Sequence, residues 1–158
     1  MQHCKSMNSS KIKKTELDQL MPLIREGLSA GKSVRFSPSG TSMLPMLREG
    51  IDSVVLSPVL KKLKKYDVVL YRRDNGQYIL HRIIKVEHTY TCVGDNQFYQ
   101  EKDLHHDQMI AVVTSFYRNK KEIQASNFLY RFYYHFWHYI RPVLHLFKRC
   151  INWLRRHL

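Results

Sequence analysis

The sequence predicts a mainly β domain: a small, coiled antiparallel β-sheet or partly closed barrel, with a short N-terminal helix and a long amphipathic C-terminal helix. Three observations carry this prediction. Between Lys32 and Ile123, Val-rich runs bounded by turn residues recur at hairpin-like spacing. An Asn75-Gly76 pair, a strong hairpin signal, separates two of those runs. Beyond Asn127 the pattern changes to helical steps of three and four, and more than half of all aromatic residues fall between Phe128 and Trp153.

Taken in order, residues 1–14 read as a basic, flexible arm. A short helix is expected next, with Pro22 near its first turn, Gly31 just past its end, and Leu20, Leu23, Ile24 and Leu28 on its apolar face. The expected strands are Ser33–Ser37, Ser53–Ser57, Asp67–Arg72, the run after Gly76, Tyr90–Val93 and Met109–Tyr117. The turn-rich stretch from Ser37 to Ser42 lies between the first two. The domain limits are therefore 1–14, 15–125 and 126–158, with the last boundary marked by the aromatic shift.

Composition narrows the class. With 44% hydrophobic and 25% charged residues in 158, the chain has enough apolar material for a core and is not disordered. No stretch approaches 18 uncharged apolar residues, so no conventional transmembrane helix is expected. Met1–Lys14 lacks an apolar h-region, so no cleavable signal peptide is expected either. Three separated cysteines, Cys4, Cys92 and Cys150, fit a reducing compartment. The expected location is cytoplasmic and peripheral at a membrane. The net charge of +13 calls for an anionic partner, and its distribution is uneven: +4 in residues 1–14, +3 in 15–125 and +6 in 126–158.

Three short motifs carry the chemistry: Gly40-Thr41-Ser42-Met43-Leu44-Pro45, Leu80-His81-Arg82-Ile83 and Gly94-Asp95-Asn96. Each alone has a plain reading as turn or packed strand. Together they supply a nucleophile and a base. A serine hydroxyl needs a neighbour to take its proton, and imidazole accepts and returns one near neutrality. A strand can present His81 to a loop serine, with Ile79 and Ile83 flanking it on the same face and shielding it from water. Backbone N–H groups around Ser42 are candidates for an oxyanion site.

The ordered set Gly-x-Ser-Met-x-Pro, Asp-Val-Val, hairpin, His-Arg-Ile, Gly-Asp-Asn resembles the serine peptidase superfamily of type I signal peptidases and LexA-like self-cleaving repressors. The likeness runs from about Ser33 to Tyr117. It implies a signal-peptidase/LexA-like β fold, Ser42 as nucleophile and His81 as base, as in the endoplasmic-reticulum-type Ser–His branch. It also implies a serine endopeptidase that cuts a peptide or leader bond after small residues. That branch carries an acid a few positions after Gly-Asp-Asn to orient the histidine. Asp103 is the first candidate here and Glu101 the second, while Asp95 is expected to hold the loop through local backbone N–H groups. Lys85 lies too far along the strand to share the hydroxyl with His81. Lys61, Lys62, Lys64 and Lys65 read as a solvated face.

No cofactor and no metal are expected, since His105-His106 has no second ligand pair at metal spacing. The alternative function is a non-catalytic or self-cleaving LexA-like module that docks on membrane or nucleic acid through its basic tail. The Ala30–Gly31 bond, however, lies too near Ser42 to loop back. In that tail Arg131, His135, His138, Pro142, His145, Arg149, Asn152 and Arg156 form one polar stripe on a helix, with a wide apolar remainder. Ser126 or Asn127 is the expected cap and Pro142 the expected kink. Basic and aromatic residues on separate faces favour a membrane surface over nucleic acid. The remaining partner is a peptide or protein substrate.

Overall fold

The structure, a computed structural model, describes residues 4–137, 139, 140 and 143. The chain divides into two compact units, Met1–Ala125 and Ser126–Leu158. The first is mainly β. Its element order is α1 (Cys4–Ser29), β1 (Val34–Phe36), β2 (Ser53–Pro58), β3 (Val68–Arg72), β4 (Tyr78–Val86), β5 (Tyr90–Val93), β6 (Glu101–Leu104), a single 3-10 turn (His106–Gln108), β7 (Met109–Arg118) and β8 (Lys121–Gln124).

The eight strands form one antiparallel sheet in the order β1-β2-β7-β3-β4-β5-β6, with β8 added to β7. β1 and β6 are its two ends, so the sheet is open and the barrel does not close. The long strand β7 explains the topology. Met109 to Val112 pairs with β3, and Ser115 to Arg118 pairs with β8 where β3 has ended. Val54, Leu56, Val69, Leu70, Tyr71, Ile83, Cys92 and Ala111 are fully buried along this sheet. One face gathers Leu63, Val69, Tyr71, Ile83, Tyr90, Cys92, Leu104 and Met109 into a cluster.

α1 departs from expectation at its start. It already includes residues 4–14, read above as an arm, and Pro22 lies well inside it rather than near its first turn. Proline removes one i→i−4 hydrogen bond, a loss that a long helix with a packed face tolerates. That face is Met21, Ile24 and Leu28, spaced i, i+3, i+7 and buried, whereas Leu20 and Leu23 are exposed. The helix end follows expectation. Lys32 N–H donates to the Gly27 carbonyl and Gly31 N–H to the Leu28 carbonyl, with Gly31 at φ 72°, a Schellman cap. Gly27 has a packing role too. A Cβ there would lie 2.6 Å from Val34 Cγ2, so a glycine lets α1 approach β1.

The β3–β4 hairpin forms as expected, with a longer loop than two residues. Arg72 pairs with Tyr78, Gly76 N–H donates to the Arg73 carbonyl, and Gly76 takes φ 84°. β6 and β8 had no counterpart in the expected strands. Glu101–Leu104 and Lys121–Gln124 are short and charge-rich, with Ile123 their one β-branched residue and no aromatic residue to mark a strand. A two-residue turn with Asn119 and Lys120 both at positive φ joins β7 to β8.

The second unit contains α2, helical at 128–137, 139, 140 and 143. Asn127 caps it, its Oδ1 accepting from Leu129 N–H at 2.9 Å and Tyr130 N–H at 3.3 Å. Of the expected polar stripe, Arg131 and His135 are described; His138, Pro142 with its kink, His145, Arg149, Asn152 and Arg156 lie outside the described residues. Among the described residues no helix is long and apolar enough to cross a membrane.

Candidate active site

Ser42 sits in the loop between β1 and β2, and several interactions hold that loop in place. Met43, Met46 and Leu47 point into the core. Asn96 N–H donates to the Ser42 carbonyl at 2.8 Å, and Asn96 Nδ2 to the Thr41 carbonyl at 3.2 Å. Farther along, buried Asp52 accepts Arg48 N–H and Nε, both at 2.9 Å, and Arg48 Nη2 at 2.8 Å. Two loops distant in sequence, 41–48 and 94–97, are thus joined by backbone and side-chain hydrogen bonds.

His81 comes from β4, opposite Val69 of β3, and is buried. Strand alternation sends its neighbour Arg82 to the other face. There Arg82 forms a two-pronged pair with buried Asp95, at 2.8 and 2.7 Å, and also donates to the Tyr66 carbonyl. Asp95 thus ties its loop to the Arg82 guanidinium on β4.

The imidazole has two distinct edges. Nδ1 lies 3.3 Å from Glu101 Oε1 and 3.2 Å from the Tyr71 hydroxyl. Nε2 faces the Ser42 loop at Gly94. A Cβ at position 94 would lie 3.0 Å from His81 Nε2 and 2.7 Å from the Ser42 carbonyl oxygen. Only a glycine leaves room for the base and the serine loop to approach one point. With Glu101 ionised, the stronger charge-assisted hydrogen bond runs from Nδ1–H to the carboxylate, which leaves the Nε2 lone pair free.

Glu101, and not Asp103, is the acid at the histidine. A bulge between β5 and β6 decides this. Tyr90 pairs with Leu104 and Cys92 with Glu101, so three steps on β6 match two on β5. Asp103 takes φ 57° within that bulge and its side chain is exposed, so it does not share the face of Glu101. Glu101 is buried. Burial works to raise its carboxyl, but hydrogen bonds from Arg73, His81 and Tyr71 and the charge of Arg73 hold it down at about 2. Arg73 grips the carboxylate with two nitrogens, Nε at 2.7 Å and Nη2, and gives Nη1 to Gln77 at 2.8 Å. Burial, reinforced by the Glu101 charge, pushes the Tyr71 hydroxyl far above its ordinary range, so it remains a donor. The same two causes push the Cys92 thiol up to about 12, so it is no thiolate nucleophile.

Ser42 and His81 line one cleft of about 270 Å³, together with Gly40, Met43, Leu80, Arg73 and Gln97. Leu17 and Leu20 of α1 form part of its wall. Two of the contributors, Tyr71 and Arg73, were not singled out from sequence, and Gly94 stood there only as part of the Gly-Asp-Asn turn. Tyr71 was within reach of the hairpin register, which sets it diagonal to His81 across β3 and β4.

The other candidates lie apart from the cleft. Lys85 is exposed and pairs with Glu87 at 2.9 Å. Lys61, Lys62, Lys64 and Lys65 are exposed. His105 and His106 flank the start of the 3-10 turn, and His106 Nδ1 meets the Tyr90 hydroxyl at 3.1 Å. Among the described residues, no three His, Cys, Asp or Glu side chains converge as a metal site. Compared with known proteins, the chain matches no family model and no curated protein sequence.

Proposed function

We propose that this chain is a serine endopeptidase of the signal-peptidase-like, Ser–His type, built on a signal-peptidase/LexA-like β domain. The observation that carries the reading is the two-edged environment of His81. A carboxylate meets Nδ1, while Nε2 and the Ser42 loop meet at Gly94 on a shared cleft.

In this reading Ser42 Oγ attacks the scissile carbonyl carbon while its proton passes to His81 Nε2. Glu101 keeps Nδ1–H in place and stabilises the imidazolium that forms, as the acid of a triad does. Backbone N–H groups around Ser42 receive the oxyanion. His81 then returns the proton to the leaving amine, the C–N bond breaks, and water repeats the sequence on the acyl-enzyme. Arg73 and Tyr71 act through Glu101 as positioning residues. A cleft this small suits an extended peptide with small side chains near the cut, the substrate class the family resemblance implies. The reading also puts the enzyme at a membrane surface, reached through residues 126–158.

The test is cleavage of a panel of small-residue peptides by the purified full chain. Cleavage by the parent protein and its loss in Ser42→Ala support the reading. Equal cleavage by both proteins defeats it.

A further inference from the structure

α2 carries two aromatic faces in different surroundings. Tyr130 and Tyr134 are buried and meet edge to face at 5.4 Å between ring centroids. Phe128, Phe132, Phe136, Tyr139 and Val143 are each half exposed or more, and Leu129 beside them is exposed as well. Their spacing of 4, 4, 3 and 4 residues is that of a single helical stripe. Phe132 and Phe136 stack along it, 6.4 Å apart and 11° from parallel. So large an apolar stripe open to water marks a surface that something covers.

Charge identifies the occupant. Residues 126–158 contain six Lys or Arg and no Asp or Glu. Arg131 and His135 are exposed on the helix surface next to the stripe. An apolar aromatic stripe bordered by cations, with no acid in the segment, complements the interface of a bilayer containing anionic lipid. Acyl chains accept the aromatics there, and headgroup phosphates and carboxylates face the basic residues. The segment supplies cations and aromatics with no acid beside them, the composition of a helix that lies on anionic lipid.

We infer that the exposed stripe Phe128, Phe132, Phe136, Tyr139 and Val143 of α2 is a docking face for an anionic lipid bilayer, on which the helix lies in the interfacial plane. This rests on the membrane part of the function proposed above and is independent of its peptidase chemistry.

The experiment is co-sedimentation of the full-length protein with vesicles of phosphatidylcholine alone, or of phosphatidylcholine with phosphatidylserine, at low and high salt. The parent protein partitions onto the phosphatidylserine vesicles at low salt and less at high salt. Phe132→Glu with Phe136→Glu lowers that partitioning about ten-fold or more, since two side chains lose their apolar transfer energy. Phe132→Leu with Phe136→Leu retains it, which separates loss of the docking face from loss of the fold. Cleavage of a soluble peptide, where the parent shows it, is unchanged in both variants, so failure of docking and failure of the peptidase reading are read on separate assays. Three outcomes overturn the inference: no binding to anionic vesicles at low salt, binding that the glutamate pair leaves intact, or a dimer abolished by the glutamate pair in a protein that ignores vesicles. The last result assigns the stripe to a second copy of the chain.

Discussion

Glu101 and Asp103 are two residues apart on the same short strand, yet only Glu101 reaches His81. Plain strand alternation would have put both on one face. The bulge, with Asp103 at φ 57°, turns the second one away, and nothing in Glu-Lys-Asp-Leu announces such a bulge. Ser42 and His81, by contrast, were legible because their chemistry and order are distinctive. Gly94 was legible only as a turn residue; its role, to admit His81 Nε2 and the Ser42 carbonyl side by side, requires coordinates. For a peptidase that uses this site, Glu101→Gln lowers kcat by about 10²- to 10⁴-fold, because an amide neither fixes the Nδ1–H tautomer nor stabilises imidazolium. Asp103→Asn leaves kcat within about two-fold, as expected for an exposed side chain off the site. Peptide cleavage kinetics on the two variants decide between the acids, and the reverse order restores Asp103.

The same carboxyl gives a stability signature. Its ordinary value of 4.5 falls to about 2 in the folded chain. A depressed carboxyl stabilises the fold above its unfolded value, and that contribution fades as pH falls from about 4.5 towards 2. Urea unfolding across this window shows a steep loss of stability in the parent and a shallower one in Glu101→Gln. Equal slopes contradict the ion-pair account of Glu101.

At the scale of elements, the strands that could be read from sequence are those that supply the core. β2, β3, β4, β5 and β7 are rich in Val, Ile, Leu and Tyr because the sheet buries them. β6 and β8 were missed because a charged edge segment carries little of that signal. Both still pair, β6 as a sheet end and β8 on β7. The apolar face of α1 was misjudged by a fraction of a turn, since Leu20, Met21, Leu23 and Ile24 offer two overlapping stripes. Packing on the sheet selects Met21, Ile24 and Leu28, and it also demands a glycine against Val34. Gly27→Ala therefore destabilises the protein by about 1–2 kcal/mol. The clash at Val34 outweighs a helix-propensity gain of about 1 kcal/mol. Adding Val34→Ala recovers part of the loss by making room. Urea midpoints of the two single variants and the double variant measure this, and additive effects of the two substitutions refute the proposed contact.

Over the whole molecule, the +13 charge belongs mainly to the two ends, since residues 15–125 carry +3. The segment 15–125 is nearly balanced, and the basic excess lies with residues 1–14 and the aromatic tail. What the sequence could not supply is how separate stretches converge. The serine loop, β4 and the Gly-Asp-Asn loop meet through Asn96, Gly94 and the Arg82–Asp95 pair, contacts that exist only once the sheet has ordered its strands. In the proposed mechanism that convergence makes Ser42 and His81 a single unit, and groups acting as a unit are strongly non-additive when removed. The most direct measurement is therefore the cleavage rate of one small-residue peptide by the parent, Ser42→Ala, His81→Ala and the double variant. The account predicts that each single substitution loses nearly as much activity as the double. Parent-like cleavage by either single variant, or a double variant whose loss is the product of two separate losses, contradicts it.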